Sequence, residues 1–189
     1  MRPANRNGST ILLMVCAAIG IALLPPQDSP QGAASKQPPD TSFAIKAASV
    51  GVAEMQLGRL AQKKGSNDAI RDFGKRVETD QIFADDQLRL TAERNNLALP
   101  ATPSKNDQLT YDRLSKLSGT DFDLAFVQQI VESHQNEIAA FTNEISSGKN
   151  AQIRDFATET LPTLQDQLGQ VEAMQEQLAS NRVDQKNGF

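Results

Sequence analysis

The sequence is poor in the side chains that usually reveal an activity. It has no tryptophan, one tyrosine, one histidine and one cysteine in 189 residues. A single cysteine excludes an intrachain disulfide, and because Cys16 lies in an apolar N-terminal run, everything downstream is free of thiols. Cys-x-x-Cys redox pairs, thiolate zinc sites and cysteine nucleophiles are therefore excluded there. No basic patch interleaved with aromatics occurs, and 19 Lys+Arg against 23 Asp+Glu leave a formal charge of −4; nucleic-acid binding is not expected. Phosphate-cradling glycine loops and Gly-x-Ser-x-Gly elbows are missing. No apolar run reaches the ~20 residues of an ordinary spanning helix. No segment sustains the period-two alternation of a half-buried strand.

What is present begins with a distinct N-terminus. Arg2 and Arg6 precede "ILLMVCAAIGIALL" (11–24), and "PPQDSPQGAASKQPPD" follows. A basic start, a short apolar run and then small residues describe a secretory signal peptide over 1–34, with Gly32 and Ala34 as the small pair before cleavage. That pair lies far from the apolar run, so an uncleaved N-terminal anchor is the alternative, and membrane contact would then be confined to this segment. "LLMVC" is a poor lipobox, since Val15 is bulky before the cysteine. Residues 35–40 read as the end of a disordered tether rich in Pro, Gln and Ser.

From Thr41 to about residue 180 the periodicity is helical. Phe43, Ala47, Val50, Glu54, Leu57 and Ala61 share one face, with Thr41 or Ser42 as the cap and Gly65 as the stop. Asn67 caps a second helix with the stripe Ile70, Phe73, Val77, Gln81, Ala84 and Leu88, ending near Asn95. Two prolines in "LALPATPS" enforce a loop. A short helix is predicted over about Asp107 to Leu117. Thr120 then caps a long one carrying Phe122, Phe126, Ile130, His134, Ile138 and Phe141, which Gly148 ends. Asn150 starts the last, with Ile153, Phe156, Leu164, Gln167 and Val171 on its stripe and Pro162 inside it. Residues 181–189 read as a disordered tail. "KKGSNDAIRDF" (63–73) matches "SSGKNAQIRDF" (146–156) at a shift of 83, which also takes Phe43 to Phe126 and Glu54 to Glu137. A duplicated helical hairpin with a long connection predicts an all-α, four-helix bundle of ferritin-like topology, with a short extra helix between helices two and three.

Each main stripe is interrupted by a polar residue at mid-helix. These are Glu54, Gln81 with Asp80 beside it, His134 with Glu137 one turn on, and Gln167. An unpaired buried polar group costs about 1–3 kcal/mol, so these groups are expected to satisfy one another, with Glu54 pairing His134. The competing reading is a transition-metal site using Glu54, Asp80, His134 and Glu137, because bundles place inward Glu and His ligands. The order "HQNE" reverses the usual Glu-x-x-His pair, and glutamine is a poor transition-metal ligand; the residue types favour the hydrogen-bonded layer. Ser133 beside His134 is no nucleophile pair, since adjacent helical residues do not face each other. Met55 and Met174 read as core filler.

"AEMQLGRLA" (53–61), "IRDFGKRVETDQ" (70–81), "LSKLSGTDFDLAFV" (114–127), "VESHQNEI" (131–138) and "TLPTLQDQL" (160–168) together resemble the bacterial exported ferritin-like family known as domain of unknown function 4142. The resemblance implies a ferritin-like bundle outside the cytoplasm and no established activity. It also leads to an expectation of histidine where Gln81 and Gln167 stand. The resulting expectation is a non-catalytic periplasmic or otherwise exported module with no resident cofactor. Its partner would be an unidentified envelope protein, in an interaction or stress-protective role. A degenerate divalent-metal site is the alternative.

Overall fold

Local capping chemistry sets most of the helix boundaries. In the computed structural model, which describes residues 38–187, five helices and no strands are seen among the described residues: α1 (Pro39–Lys64), α2 (Asp68–Arg94), α3 (Lys105–Leu114), α4 (Gly119–Ser147) and α5 (Ala151–Asn187). Asn67 Oδ1 accepts from Ile70 N at 3.1 Å and Asn150 Oδ1 from Ile153 N at 3.1 Å, each satisfying an orphan donor of the first turn. Ser104 caps α3 in the same way.

Several boundaries differ from those read by periodicity. α3 runs Lys105–Leu114 rather than about Asp107 to Leu117, since the Ser104 cap sets its start two residues earlier. α1 begins at Pro39 rather than after Thr41 or Ser42, so the expected tether ends before residue 39; proline at the first helical position gives up no needed N–H. α4 begins at Gly119 after Ser118, not at Thr120, and Gly119 takes φ +58, a conformation that costs glycine little. α5 continues to Asn187. The expected tail is helical as far as residue 187, because "ASNRVDQK" contains no proline or glycine to stop the backbone ladder even after the apolar stripe ends. The expected signal or anchor, and the tether up to residue 37, lie outside the described residues. Among the described residues no helix is long and apolar enough to cross a membrane.

α1 lies along α2 and α4 along α5, and these pairs meet through α1–α4 and α2–α5 contacts. The α1–α2 approach is close at Gly58 and Gly74: a Cβ on Gly58 would sit 2.5 Å from the Gly74 carbonyl oxygen. Buried apolar residues form two clusters. One gathers Leu57, Phe73, Val77, Phe126, Ile130 and Val171, among others; the second holds Ala48, Leu88, Phe141, Phe156 and Leu164. On every long helix the polar stripe residue falls between the two. A polar layer therefore divides the core.

The repeat extends into tertiary structure. Asp40, at the start of α1, accepts from the backbone of Lys149 (2.8 Å) and Asn150 (3.2 Å) in the α4–α5 turn. Asp123, at the start of α4 and fully buried, accepts from Ser66 N (3.0 Å) and the Ser66 hydroxyl in the α1–α2 turn. A shift of 83 relates both the aspartates and the turns. Likewise Arg71 Nη1 donates to Gly65 O and Arg154 Nη1 to Gly148 O. Each half of the duplication ties down the hairpin of the other.

Candidate functional site: a buried polar layer

Four helices build the layer: α1, α2 and α5 deliver one side chain each and α4 delivers two. Glu54, Gln81, His134, Glu137 and Gln167 are all buried, His134 completely. Gln81 Nε2 donates to Glu54 Oε2 at 2.5 Å. Glu54 Oε1 lies 3.2 Å from His134 Nδ1, and His134 Nε2 lies 2.7 Å from Gln167 Oε1. Gln167 Nε2 in turn donates to Asp80 Oδ2 at 2.7 Å. Because the Gln167 amide is oriented by that last bond, its oxygen faces the imidazole, so Nε2 of His134 carries a proton and Nδ1 is left facing the carboxylates. Arg76 completes the circuit, reaching Asp80 at 3.4 Å and Asp166 on α5 at 2.5 Å. The chain of hydrogen bonds passes from α2 through α1, α4 and α5 and returns to α2.

Of the residues singled out from sequence, five converge and Asp80 does not. Its side chain is about one-third exposed and sits behind Gln167 rather than in the layer. Adjacent helical positions point about 100° apart, so Asp80 and Gln81 cannot both face the core. Glu137 is the odd member. Its Oε2 lies 4.0 Å from His134 Nδ1 and is buried with no hydrogen-bond partner. The ligand atoms of Glu54, His134 and Glu137 all fall within 4.8 Å of one another.

Electrostatics follow from this placement. Burial disfavours charge on Glu54, but the His134 imidazole, with hydrogen bonds from His134, Ser133 and Gln81, outweighs it and holds the carboxyl below its ordinary range. Burial alone would depress His134; the Glu54 carboxylate, then Glu137 and Gln167, push it up to about 9. Glu137 goes the opposite way from Glu54. Burial and the nearby Glu54 charge raise it well above the ordinary value, against the pull of His134 and Lys46. The layer thus favours charge on Glu54 and His134 and disfavours it on Glu137.

Two spaces adjoin Glu137. A cavity of about 20 Å³ is bordered by Gly51, Gln81 and Glu137. On the other side a cleft of about 350 Å³ lies between α1 and α4, with Phe43, Val50 and Phe141 among its apolar walls and Lys46, Ser133 and Glu137 among its polar ones. Sequence reasoning missed Asp40, Asp123 and Arg76. The shift of 83 that relates Asp40 to Asp123 was the available signal for the first two; nothing local marks Arg76.

The family described as "Domain of unknown function (DUF4142)" matches residues 25–174. No curated protein matches the chain. Among solved structures, a DUF305 fragment from Deinococcus radiodurans is similar with a TM-score of 0.66 at 12% identity, covering 74% of this chain and 97% of its own. A DUF305 protein from Streptomyces coelicolor, named as a candidate secreted protein, is similar with a TM-score of 0.65 at 9% identity, covering 75% and 93%. At such identities the likeness concerns the fold alone.

Proposed function

The chain belongs to the DUF4142 family, and on that footing we propose that it is an exported, non-enzymatic helical module of the bacterial cell envelope, a ferritin-like four-helix arrangement that works through contact with an envelope protein. The observation that carries this reading is the closed hydrogen-bond circuit of the polar layer. Both imidazole nitrogens of the only histidine already have protein partners, and the amides of Gln81 and Gln167 each bridge to a carboxylate. A group so engaged holds helices in register, since it makes slippage or rotation of any one helix leave buried charge unpaired. It is not poised as a general base. Ser133 in the cleft does reach the Glu54 carboxylate, but that group is already engaged by His134 and Gln81 and held below its ordinary range, which makes it a weak base for activating a hydroxyl.

Support for export comes from the N-terminal signature of residues 1–34 and from the secreted description attached to the Streptomyces neighbour. Partner contact would use the α1–α4 cleft, where apolar walls reach the surface beside Lys46 and Glu132. The test has two arms. Cell fractionation with N-terminal sequencing should find the chain outside the cytoplasm. Chelator-treated protein should remain helical and unfold cooperatively. Cytoplasmic retention, or collapse of the fold on chelation, would overturn the proposal.

A further inference from the structure

The structure assigns to Glu54, His134 and Glu137 a binding site for one first-row divalent cation of borderline hardness, zinc(II) being the reference occupant, reached from the α1–α4 cleft. This goes beyond the envelope-module reading, which concerns the metal-free chain. Asp80, which the sequence pattern placed among possible ligands, is not part of it, because its carboxylate is taken by Gln167 and Arg76.

Three features point to a cation. Glu137 Oε2 is a buried oxygen without a partner, on a residue 7% exposed, and it faces His134 Nδ1. The three ligand atoms are nearly at coordination spacing. Nδ1 is 3.2 Å from Glu54 Oε1 and 4.0 Å from Glu137 Oε2, whereas tetrahedral bonds of ~2.1 Å space their ligands roughly 3.4 Å apart. Glu54 and Glu137 lie within 4.8 Å of each other, so a movement on the order of one ångström at the Glu137 tip closes the set. The imidazole is already oriented for the role: Gln167 Oε1 accepts from Nε2, Gln167 is held by Asp80, which itself accepts from Arg76, and Nδ1 is thereby directed at the carboxylates. A metal-bound histidine characteristically has its second nitrogen held in this manner. A cavity of about 20 Å³, bordered by Gly51, Gln81 and Glu137 but not by Glu54 or His134, leaves room for one water beside the Glu137 carboxyl. At the shift of 83, Gly51 is the counterpart of His134, and a Cβ there would stand 3.2 Å from Gln81 Oε1, so glycine keeps this space clear.

The ligand chemistry narrows the class. One imidazole and two carboxylates suit zinc, manganese or ferrous iron, whereas calcium and magnesium favour all-oxygen shells and cuprous copper favours sulfur. Two carboxylates also neutralise a divalent charge in a buried setting.

The experiment is calorimetric titration of the metal-free chain with zinc chloride, alongside visible spectroscopy of the cobalt(II) form. One equivalent should bind, and cobalt(II) should develop the ligand-field bands of a low-coordinate site. Glu137→Gln should weaken zinc binding by more than about a hundredfold, beyond the ~10–100-fold loss expected of an outer supporting group, while the metal-free variant melts no lower than the parent. Gln167→Ala should fall within that outer range, and Gln167→Glu, which keeps the acceptor, should restore part of it. No saturable zinc binding, or binding unchanged by Glu137→Gln, would overturn the proposal. Either result would leave the metal-free fold and its envelope role untouched, since those are tested by fractionation and by stability in chelator.

Discussion

Replacing Glu54 by glutamine removes one charge of the buried pair while keeping its volume, and the cost can be worked from the layer. Leaving an imidazolium buried without a counterion would cost about 3–5 kcal/mol. His134 can escape that cost by releasing its proton, so the loss is capped by what the pair adds to protonation. The imidazole sits at about 9 against an ordinary 6.5; at neutral pH only the interval above 7 counts, which at ~1.4 kcal/mol per unit is about 3 kcal/mol. Glu137 erodes this figure. Once the Glu54 charge is gone Glu137 ionises more readily and takes over part of the pairing from 4.0 Å. The expected loss for Glu54→Gln is therefore about 2 kcal/mol, or roughly 4–8 °C in Tm for a chain of this size, rising toward 3 kcal/mol when Glu137→Gln is added. The sign with pH is fixed by the histidine. Because its folded value is raised, its stabilisation is complete below about 6.5 and disappears as pH rises through about 9. Urea unfolding followed by circular dichroism, in chelator, should show the full deficit near pH 6.5 and little of it near pH 10. A deficit below about 0.5 kcal/mol at the lower pH, or an equal one at both, would refute the ion-pair reasoning.

Other expectations rest on separate parts of the molecule. Gly58→Ala drives a Cβ to 2.5 Å from the Gly74 carbonyl and 3.0 Å from Glu78 N, both backbone, and should cost about 1–3 kcal/mol by forcing α1 from α2; Gly169→Ala, with nothing within 4 Å, should instead gain up to about 1 kcal/mol from helix propensity, both read by thermal melting. Asp123→Ala strands the Ser66 N–H that it accepts from and should lower stability by about 1–3 kcal/mol in urea, with Asp40→Ala matching it in the other half. Glu144 is held up at about 7, first by burial and then by Asp40, against the pull of Arg154. Since a raised carboxyl favours the folded state only while protonated, its contribution should be present at pH below about 4.5 and decline as pH rises through 7. The stability difference between the parent and Glu144→Gln across that range measures the decline, and a flat difference would refute the placement.

Local chemistry alone determined that the chain is helical, where the two helical hairpins turn, and which stripe residues are polar. Asn67, Asn150, Gly65 and Gly148 act within one turn of backbone, and the 3.6-residue period needs only neighbours three and four positions away. Family membership was equally legible, in motifs spread along the whole helical region. Tertiary structure decided what those polar residues do. Whether Asp80 or Gln81 faces inward depends on the rotation of α2 about its axis, and one position of ambiguity in a stripe is enough to mistake the two. The Glu54–His134 contact joins residues 80 apart in sequence, and the aspartate ties of Asp40 and Asp123 reach turns more than 50 residues away. No local periodicity encodes such pairings. They arise because a glycine-permitted close approach of α1 and α2, a divided core and a duplicated hairpin bring four helices to one level, where burial pairs the polar atoms of the layer except one oxygen of Glu137.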